Sequence, residues 1–392
     1  MNRPEHVLIL EGYCKQSLPF IRAFKELGCE VSVLCGSRLD CSYASRLPDH
    51  KILGVCDFAR PEESERFIVD LVKSGRFDIV FPPFDFSARI LSHHKQELSA
   101  YAYICANDAD VFDRANDKNE VMRVCMENGL PCPRTVFGAR SVADAVEKGL
   151  IFPAIIKPAR SFGARGFHAF GTPDEMERYV REQGIDLEAS VLQECIPLSS
   201  EVLSGNVYID RFGEVKSSFL YVSKHLFPEK GGTSTLNVLI DREDIHRIIA
   251  TLVTRMQLRG VVGVDLMLDD RDKGPRVIEI NPRAAHAITI GFLSGFNLAQ
   301  QILEDARGET VTRFTHSDTS LCVRIGQTDA LWFLSSPNRF QKSPRRMGYK
   351  RVREQMFYWD DPLPWFAFLL QGLCDFRQKM KEKKHRYEDP DL

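Results

Sequence analysis

The stretch that decides the fold reads Val277-Ile278-Glu279-Ile280-Asn281-Pro282-Arg283. Its alternation of apolar and polar residues predicts a strand, on which Glu279 and Asn281 point to the same face. A carboxylate flanked by branched apolar residues on a strand is costly to bury unless it is paired or binds a metal. The stretch therefore predicts a sheet with one functional face. The alternative is that these polar groups simply solvate that face.

A second carboxylate lies just upstream. Asp265 stands in another apolar run, and residues 269–274 supply a polar turn between the two runs. A hairpin of these strands would bring Asp265, Glu279 and Asn281 together as oxygen ligands, the donors that Mg²⁺ prefers and that also suit Mn²⁺. Arg283 lies one step beyond them, where a guanidinium would hold a terminal phosphate.

A lysine and a glycine-bearing loop predict phosphate contacts. Lys157 ends the apolar run Ala154–Lys157, and a polar loop that contains Ser161, Gly163 and Gly166 follows it. A lysine ammonium is a natural phosphate ligand, and glycine lets backbone N–H groups close over a phosphate. A solvated strand end with a surface hairpin is the alternative interpretation.

Strand-like runs further along the chain add more candidates. Val191–Glu194 leads into a short linker that can offer backbone groups to an adenine edge, and Glu201 heads the next strand with a carboxylate that suits ribose hydroxyls. Lys224 precedes a second glycine-bearing loop, residues 229–234, and is a candidate phosphate or substrate ligand. An exposed strand start and a flexible surface turn are the alternatives.

In this order, the pieces resemble the ATP-grasp superfamily over residues 113 to about 305, and especially its carbamoyl-phosphate-synthetase-like carboxylate–amine ligases. The ordered set is far more specific than any one motif. The elements that carry the resemblance are Lys118, Lys157-Pro158, the glycine loop, Gln193-Glu194, Glu201, Asp265 and Glu279-Ile280-Asn281-Pro282-Arg283.

The resemblance implies a role for each residue. It implies that ATP phosphates are bound by Lys118 and Lys157. It implies that adenine is lined, mainly through backbone, by Glu194, Cys195 and Ile196, and that ribose is bound by Glu201. It implies that magnesium is held by Asp265, Glu279 and Asn281, with Arg283 on the γ-phosphate or acyl phosphate. Many relatives carry Glu or Gln where Asp265 stands, so its metal bond is either direct or through water.

The wider pattern predicts a mixed fold, α/β and α+β. Residues 1–112 alternate short apolar strands with helices, which predicts a parallel sheet and resembles the domain that precedes the ATP-grasp fold. We expect a small ATP-grasp lobe over 113–190, a large lobe over 191–310 and a C-terminal extension over 311–392. The first strand is followed by Glu11-Gly12-Tyr13-Cys14 rather than by GxGxxG, so a standard dinucleotide site is not expected.

The composition restricts the class of protein. The net charge of −2 gives no general attraction to nucleic acid, which is not expected as a partner. The eleven cysteines are odd in number and form no CxxC pair, which favours reduced thiols over a disulfide framework or a cysteine zinc site. No apolar run reaches the roughly 18–20 residues that span a bilayer, and the first residues do not read as a leader. We expect a cytoplasmic protein.

The C-terminal extension contains an amphipathic segment, residues 362–386. Aromatic residues and leucines recur at helical spacing from Trp365 to Phe376, and a basic run follows from Lys379 to Arg386. Such a helix either docks on the protein's own core or lies in a membrane interface with its cations on lipid headgroups. The second interpretation would place the protein peripherally at the inner membrane face and favour a lipid-linked cell-envelope intermediate as substrate.

The function expected from these parts is that of an ATP-dependent, ADP-forming ligase. It would activate a carboxylate as an acyl phosphate and couple it to an amine or another nucleophile, with small-molecule or lipid-linked substrates. The alternatives are an ATP-grasp phosphotransferase and a non-catalytic ATP-binding protein. The sequence indicates neither the identity of the two substrates nor the oligomeric state.

Overall fold

The computed structural model describes residues 3–160, 166–197, 199–228, 232–315, 319–340 and 352–372. The chain divides into two compact units. The first contains the residues up to Cys105 and those from Glu354 onwards, and the second is Ala106–Arg353.

The first unit is built on a parallel sheet. Its strands and helices are, in chain order, β1 His6–Ile9, α1 Ser17–Glu26, β2 Glu30–Cys35, α2 Cys41–Ala44, β3 His50–Leu53, α3 Pro61–Lys73, β4 Ile79–Phe81, α4 Asp85–His93, α5 Lys95–Leu98 and β5 Tyr103–Ile104. The five strands are parallel and lie in the order β3-β2-β1-β4-β5. This arrangement confirms the parallel α/β fold predicted for the N-terminal part of the chain.

Two details of this unit differ from the prediction. The sequence predicts a single helix over residues 87–98, but the structure has two helices, α4 and α5, because the chain leaves helical geometry at His94. Strand β3 was not predicted, since most of its residues are exposed and it lacks the apolar run that identifies its neighbours. An edge strand of this kind gives little sequence signal.

Residues 363–372 of this unit are also helical. Ala367 is buried, whereas Leu363, Phe366 and Leu370 are exposed, so the helix packs by one face and presents apolar side chains on another. The remainder of the predicted amphipathic segment, including its basic run, lies outside the described residues. Within the described ranges, no helix combines the length and hydropathy of a membrane span.

The second unit contains two further sheets. Its first elements are α6 Ala109–Asn116, α7 Lys118–Glu127, β6 Thr135–Val136, α8 Val142–Glu147, β7 Ala154–Pro158, β8 His168–Phe170, α9 Pro173–Gln183 and β9 Ser190–Glu194. The four strands among them form a sheet in the order β6-β9-β7-β8. Helices α8 and α9 cover it, and their Ala145 and Met176 are buried with Ile156 and Leu192.

The larger sheet follows in the chain. Its elements are β10 Glu201–Ile209, β11 Val215–Phe227, β12 Thr233–Ile240, α10 Glu243–Arg255, β13 Gly260–Leu268, β14 Pro275–Asn281, α11 Thr289–Leu293, α12 Leu298–Ala306, β15 Cys322–Arg324, α13 Gly326–Ser335 and β16 Val352–Glu354. The seven strands lie in the order β14-β13-β10-β11-β12-β15-β16.

The predicted hairpin is present as β13 and β14. The two strands are antiparallel, with Asp265 opposite Glu279 and Val264 opposite Ile280. Val264 and Ile280 are buried in a core that also contains residues of α7 and α10. Because side chains alternate along a strand, this apolar packing leaves Asp265 and Glu279 together on the other face.

Other boundaries of the second unit differ from the prediction. The sequence predicts a strand that ends at Val222, but β11 continues to Phe227, and β12 was not predicted. Thr233 and Ser234, expected in a glycine-bearing loop, are strand residues, while residues 229–231 of that loop lie outside the described part of the chain. Helix α6 crosses residue 112, and the division of the chain into the four proposed domains stays a prediction.

Candidate functional site

Three oxygen-bearing side chains lie together on the hairpin β13-β14. Asp265 faces Glu279 across the two strands, and Asn281 stands opposite Gly263. The Asn281 amide Nδ2 donates to Asp265 Oδ2 at 2.9 Å, and the Ser204 hydroxyl on β10 donates to Asp265 Oδ1 at 2.5 Å. The structure thus brings the predicted metal ligands Asp265, Glu279 and Asn281 onto one face, and their binding of a metal stays a prediction.

The environment of this cluster disfavours the ionised form of Asp265. Burial, with the negative charge of Glu279 adding to it, raises the pKa of Asp265 to about 6. The hydrogen bonds from Ser204 and Asn281 and the positive charge of Arg283 oppose this rise without cancelling it. A cation bound between the two carboxylates would remove their repulsion, because opposite charge at short range favours the ionised form.

Two lysines approach the carboxylates from other elements of the same unit. Lys118, in the first turn of α7, places its Nζ 3.4 Å from Glu279 Oε2. Lys157, on β7, is 8% exposed, and burial lowers its pKa to about 8, with the charge of Lys118 lowering it further and Glu279 opposing this. Among the described residues Lys157 has no ion pair. An anionic ligand beside its buried ammonium group would offset the cost of burying that charge.

The position of Lys118 is fixed by the start of its helix. Asp117 caps α7 by accepting hydrogen bonds from the backbone N–H groups of Asn119 and Glu120. The Lys118 backbone N–H donates to the Ala159 carbonyl at 3.0 Å, just beyond β7. This bond ties the helix start to the strand that carries the other lysine.

Arg283 joins the cluster from the end of β14. Its Nη2 donates to Asn281 Oδ1 at 3.0 Å, and its Nη1 donates to the Ala284 carbonyl at 3.0 Å. The side chain is 7% exposed. A guanidinium held this way beside the oxygen cluster is placed to contact a phosphate oxygen that lies against the same face.

The linker after β9 has its side chains engaged with the protein. Glu194 accepts from the Arg134 backbone N–H at 2.9 Å and pairs with Arg271 Nη1 at 3.0 Å. The Cys195 backbone N–H donates to the Pro153 carbonyl at 2.7 Å, and Ile196 is buried. Because the Glu194 carboxylate is already bonded within the protein, we expect any contact of this segment with a base to be made by backbone groups, and this contact stays a prediction.

Glu201 and Lys224 form an ion pair with each other. Glu201 begins β10, and Lys224 lies in β11 where the pairing with β12 shifts register between Ser223 and His225. A bulge of this type redirects a side chain. A ribose hydroxyl at Glu201 or a phosphate at Lys224 would therefore compete with this pair.

The glycine loop is only partly described. Ser161 and Gly163 lie outside the described residues. Gly166 has φ of +71°, and a Cβ there would lie 2.8 Å from Pro158 Cδ, so both its conformation and its surroundings favour glycine.

Two contributors to this site were missed by the sequence analysis. Ser204 contacts Asp265, and Arg271 contacts Glu194. Ser204 is one of several polar residues on β10, so nothing in the sequence singles it out. Arg271 lies in the turn between β13 and β14, and nothing local relates it to Glu194.

Comparison with known proteins gives a consistent result. The family model described as "ATP-grasp domain" matches residues 115–286. The D-aspartate ligase of Enterococcus faecium is 27% identical over 290 residues, which cover 69% of this chain and 67% of that protein. The large chain of carbamoyl phosphate synthase from Thermotoga neapolitana is 28% identical over 194 residues, 46% of this chain but only 17% of that protein.

A solved structure supports the fold. The biotin carboxylase domain of the 2-oxoglutarate carboxylase from Hydrogenobacter thermophilus, solved with MgADP and bicarbonate, matches with a TM-score of 0.65 and 16% identity. The match covers 81% of this chain and 72% of that chain. It confirms the predicted mixed fold, and at this identity it carries no further information about substrates.

Proposed function

Since this chain belongs to the ATP-grasp superfamily, through the domain at residues 115–286, and its relatives include ligases, we propose that it uses ATP to activate a carboxylate and joins it to an amine. The carboxylate oxygen would attack the γ-phosphorus of ATP, so that an acyl phosphate and ADP form. The nucleophile would then displace phosphate. The observation that carries this proposal is the cluster in which the partly buried Asp265, Glu279 and Asn281 lie beside the buried Arg283 and Lys118.

The donor set of this cluster fits a hard divalent cation. Its two carboxylates and one amide are the oxygen ligands that Mg²⁺ prefers, and Mn²⁺ suits them equally. Burial and, to a smaller extent, the charge of Glu279 raise the Asp265 pKa to about 6, and a cation bound there would favour the ionised carboxylate. When bound, such an ion neutralises charge on the transferred phosphoryl group.

The basic residues would bind and orient the nucleotide. Lys118 and Lys157 would contact its phosphates, and Lys157, whose pKa burial lowers to about 8, would gain the negative partner that it lacks among the described residues. Arg283 would hold the oxygens of the phosphoryl group in transfer. The protein needs no nucleophile of its own, because orientation can contribute roughly 7–11 kcal/mol to lowering the barrier.

The substrate class is best tested directly. ADP release would be measured with magnesium, ATP and a panel of carboxylates and amines, with D-aspartate included because a relative is a D-aspartate ligase. We expect one pairing to yield an amide, with one ADP per bond formed. A stable phosphorylated product without ligation would favour the phosphotransferase alternative. If the protein neither bound nucleotide nor released ADP, the proposed ligase activity would be wrong.

The helical residues 363–372 support a more specific version of this function. Their exposed Leu363, Phe366 and Leu370, followed in sequence by a basic run, suit the surface of an anionic membrane. We propose that the protein acts on the cytoplasmic side and meets a lipid-linked carboxylate or amine of cell-envelope polysaccharide synthesis there. Flotation with anionic liposomes tests this, since the full-length chain should float and a chain ending before residue 362 should not. Equal flotation of both would remove the idea.

A further inference from the structure

Three metal-ligating side chains lie outside the candidate active site, in the first unit. His6, Glu30 and His50 stand at the starts of β1, β2 and β3. Each offers one ligand atom, and these atoms all lie within 4.8 Å of one another. No part of the proposed ATP chemistry uses these residues.

The strand register explains why they meet. In the parallel sheet His6 pairs with Glu30, and Ser32 pairs with His50. Residues two apart on a strand share a face, so Glu30 and Ser32 point the same way, and each paired neighbour points with them. The two imidazoles and the carboxylate therefore project from one face at the amino-terminal edge of three adjacent strands.

His6 is oriented in the manner of a metal ligand. Its ring is hydrogen-bonded to the backbone of Arg76, and its Nε2 shares a 2.7 Å hydrogen bond with the buried Ser32 hydroxyl, which a metal ion would displace. The Phe77 ring packs edge-on against it at 4.9 Å between centroids. Metal-bound histidines usually have their second ring nitrogen held by a carbonyl or carboxylate in this way.

The surroundings of the cluster are acidic but already engaged. Asp49 accepts from Lys25 and from the Val31 backbone, and Asp78 accepts from Arg3 and from the His6 backbone. The charges of these two acids are offset by Lys25 and Arg3, so His6, Glu30 and His50 remain as the candidate ligands. Glu30 is ionised in this setting, because its hydrogen bond with His50 lowers its pKa.

The simpler interpretation is a surface ion pair. His50 Nε2 lies 2.6 Å from Glu30 Oε1, and the two side chains are 53% and 38% exposed. Such pairs contribute about 0–1 kcal/mol to stability. The His50–Glu30 pair alone does not explain why the ring of His6 also brings a nitrogen within 4.8 Å of the ligand atoms of Glu30 and His50. His94 provides a comparison, since it pairs with Glu65 and Glu97 but, within the described part of the chain, forms no cluster of three such ligands.

We propose that His6, Glu30 and His50 form a zinc site, with water as the fourth ligand, that joins the starts of β1, β2 and β3. Two imidazoles and one carboxylate are a common protein donor set for zinc. The site would fasten the edge of the parallel sheet, where β3 is otherwise an exposed edge strand. The inference is independent of the proposed ligase function.

The test uses the full chain after treatment with a chelator. Zinc would be titrated calorimetrically into the Glu279→Gln variant, in which the other candidate metal site is weakened, and Co²⁺ would report the coordination by its visible absorption. We expect one zinc ion per chain and a rise in unfolding temperature on its addition. His50→Ala, a change at an exposed side chain, should weaken binding by at least about tenfold, the loss seen even for outer-shell partners of a metal.

The controls separate a site from adventitious binding. His94→Ala, made in the same background, should bind zinc as the parent does. His50→Ala should unfold at the parent's temperature when the chelator is present, which shows that the variant is folded. Zinc binding that is equal in the parent, His6→Ala and His50→Ala, or no binding by the parent at micromolar zinc, would overturn the proposal.

Discussion

At the scale of single residues, Asp265 governs the charge of the candidate active site. It lies opposite Glu279, and its two oxygens accept hydrogen bonds from Ser204 and Asn281. Two neighbouring carboxylates in a buried setting repel each other unless one is protonated or a cation is shared. We therefore expect a divalent ion, if it binds as proposed, to reduce the repulsion between these two carboxylates.

Replacing Glu279 with glutamine removes one charge from this cluster at nearly constant size. It also removes the partner of Lys118. We expect the fold to persist, by circular dichroism, and ADP release to fall by about 10²–10³, the loss typical of removing one group that stabilises transition-state charge. Asp270→Asn, which changes an acid of the adjacent turn that pairs with Lys273, is the matched control and should keep its activity. Unchanged ADP release in Glu279→Gln would contradict the metal assignment.

Magnesium-dependent nucleotide binding should depend on pH through Asp265. Its pKa is raised to about 6, so the side chain carries a proton below this pH and must lose it to bind a metal. We expect affinity to be level above pH ~7 and to fall about tenfold per pH unit well below pH 6. Fluorescent nucleotide titrations at several pH values measure this, and an identical pH profile in Asp265→Asn would show that another group is responsible.

The same residue has a predicted effect on stability without metal. Because its folded-state pKa lies above its unfolded value, near 4, ionisation of Asp265 disfavours the folded state as pH rises through this interval. In chelator, Asp265→Asn should therefore gain unfolding temperature relative to the wild type above pH ~6. The gain should shrink as the pH falls below 6 and vanish below about pH 3, where both states carry the proton. A constant difference between the two proteins across the range would refute this assignment.

At the scale of elements, the hairpin β13-β14 could be predicted from the sequence, whereas the side-chain contacts that other segments make with the site could not. The period of two places Glu279 and Asn281 on one face, and the polar turn after residue 268 indicates the pairing with Asp265. The contacts of Ser204 with Asp265 and of Arg271 with Glu194 depend on how distant segments align, which no local pattern encodes. Strand β12 was missed for a local reason, because it begins directly after two glycines that read as a loop.

The packing of α10 against β10 depends on Gly205. A Cβ at this position would lie 2.2 Å from Ile249 Cδ1 and 3.0 Å from Leu220 Cδ2. We expect Gly205→Ala to destabilise the protein by about 1–3 kcal/mol through overpacking, measured by urea unfolding. Ile249→Val, which removes the clashing methyl group, should recover part of the loss in the double variant. Gly36→Ala, where a Cβ meets nothing within 4 Å, is the control, and an equal loss there would contradict this account.

At the scale of the whole molecule, the predicted ligands of the nucleotide and metal come from one compact unit. The oxygen cluster lies on β13 and β14, Lys157 on β7 and Lys118 on α7, all within Ala106–Arg353. The family model matches residues 115–286, which contain all of these residues. The order of motifs along the chain therefore carried most of the information about this unit, while the substrate-specific residues have no comparable signature.

The most direct test of the central claim is electron paramagnetic resonance of Mn²⁺ in the presence of ATP. Free Mn²⁺ gives a sharp spectrum that weakens on binding, so the bound ion is counted without any substrate or turnover. We predict that the wild-type chain binds Mn²⁺ tightly only with nucleotide and that Glu279→Gln loses most of this binding. Equal Mn²⁺ binding by the two proteins, or none by either, would contradict a metal site formed by Asp265, Glu279 and Asn281.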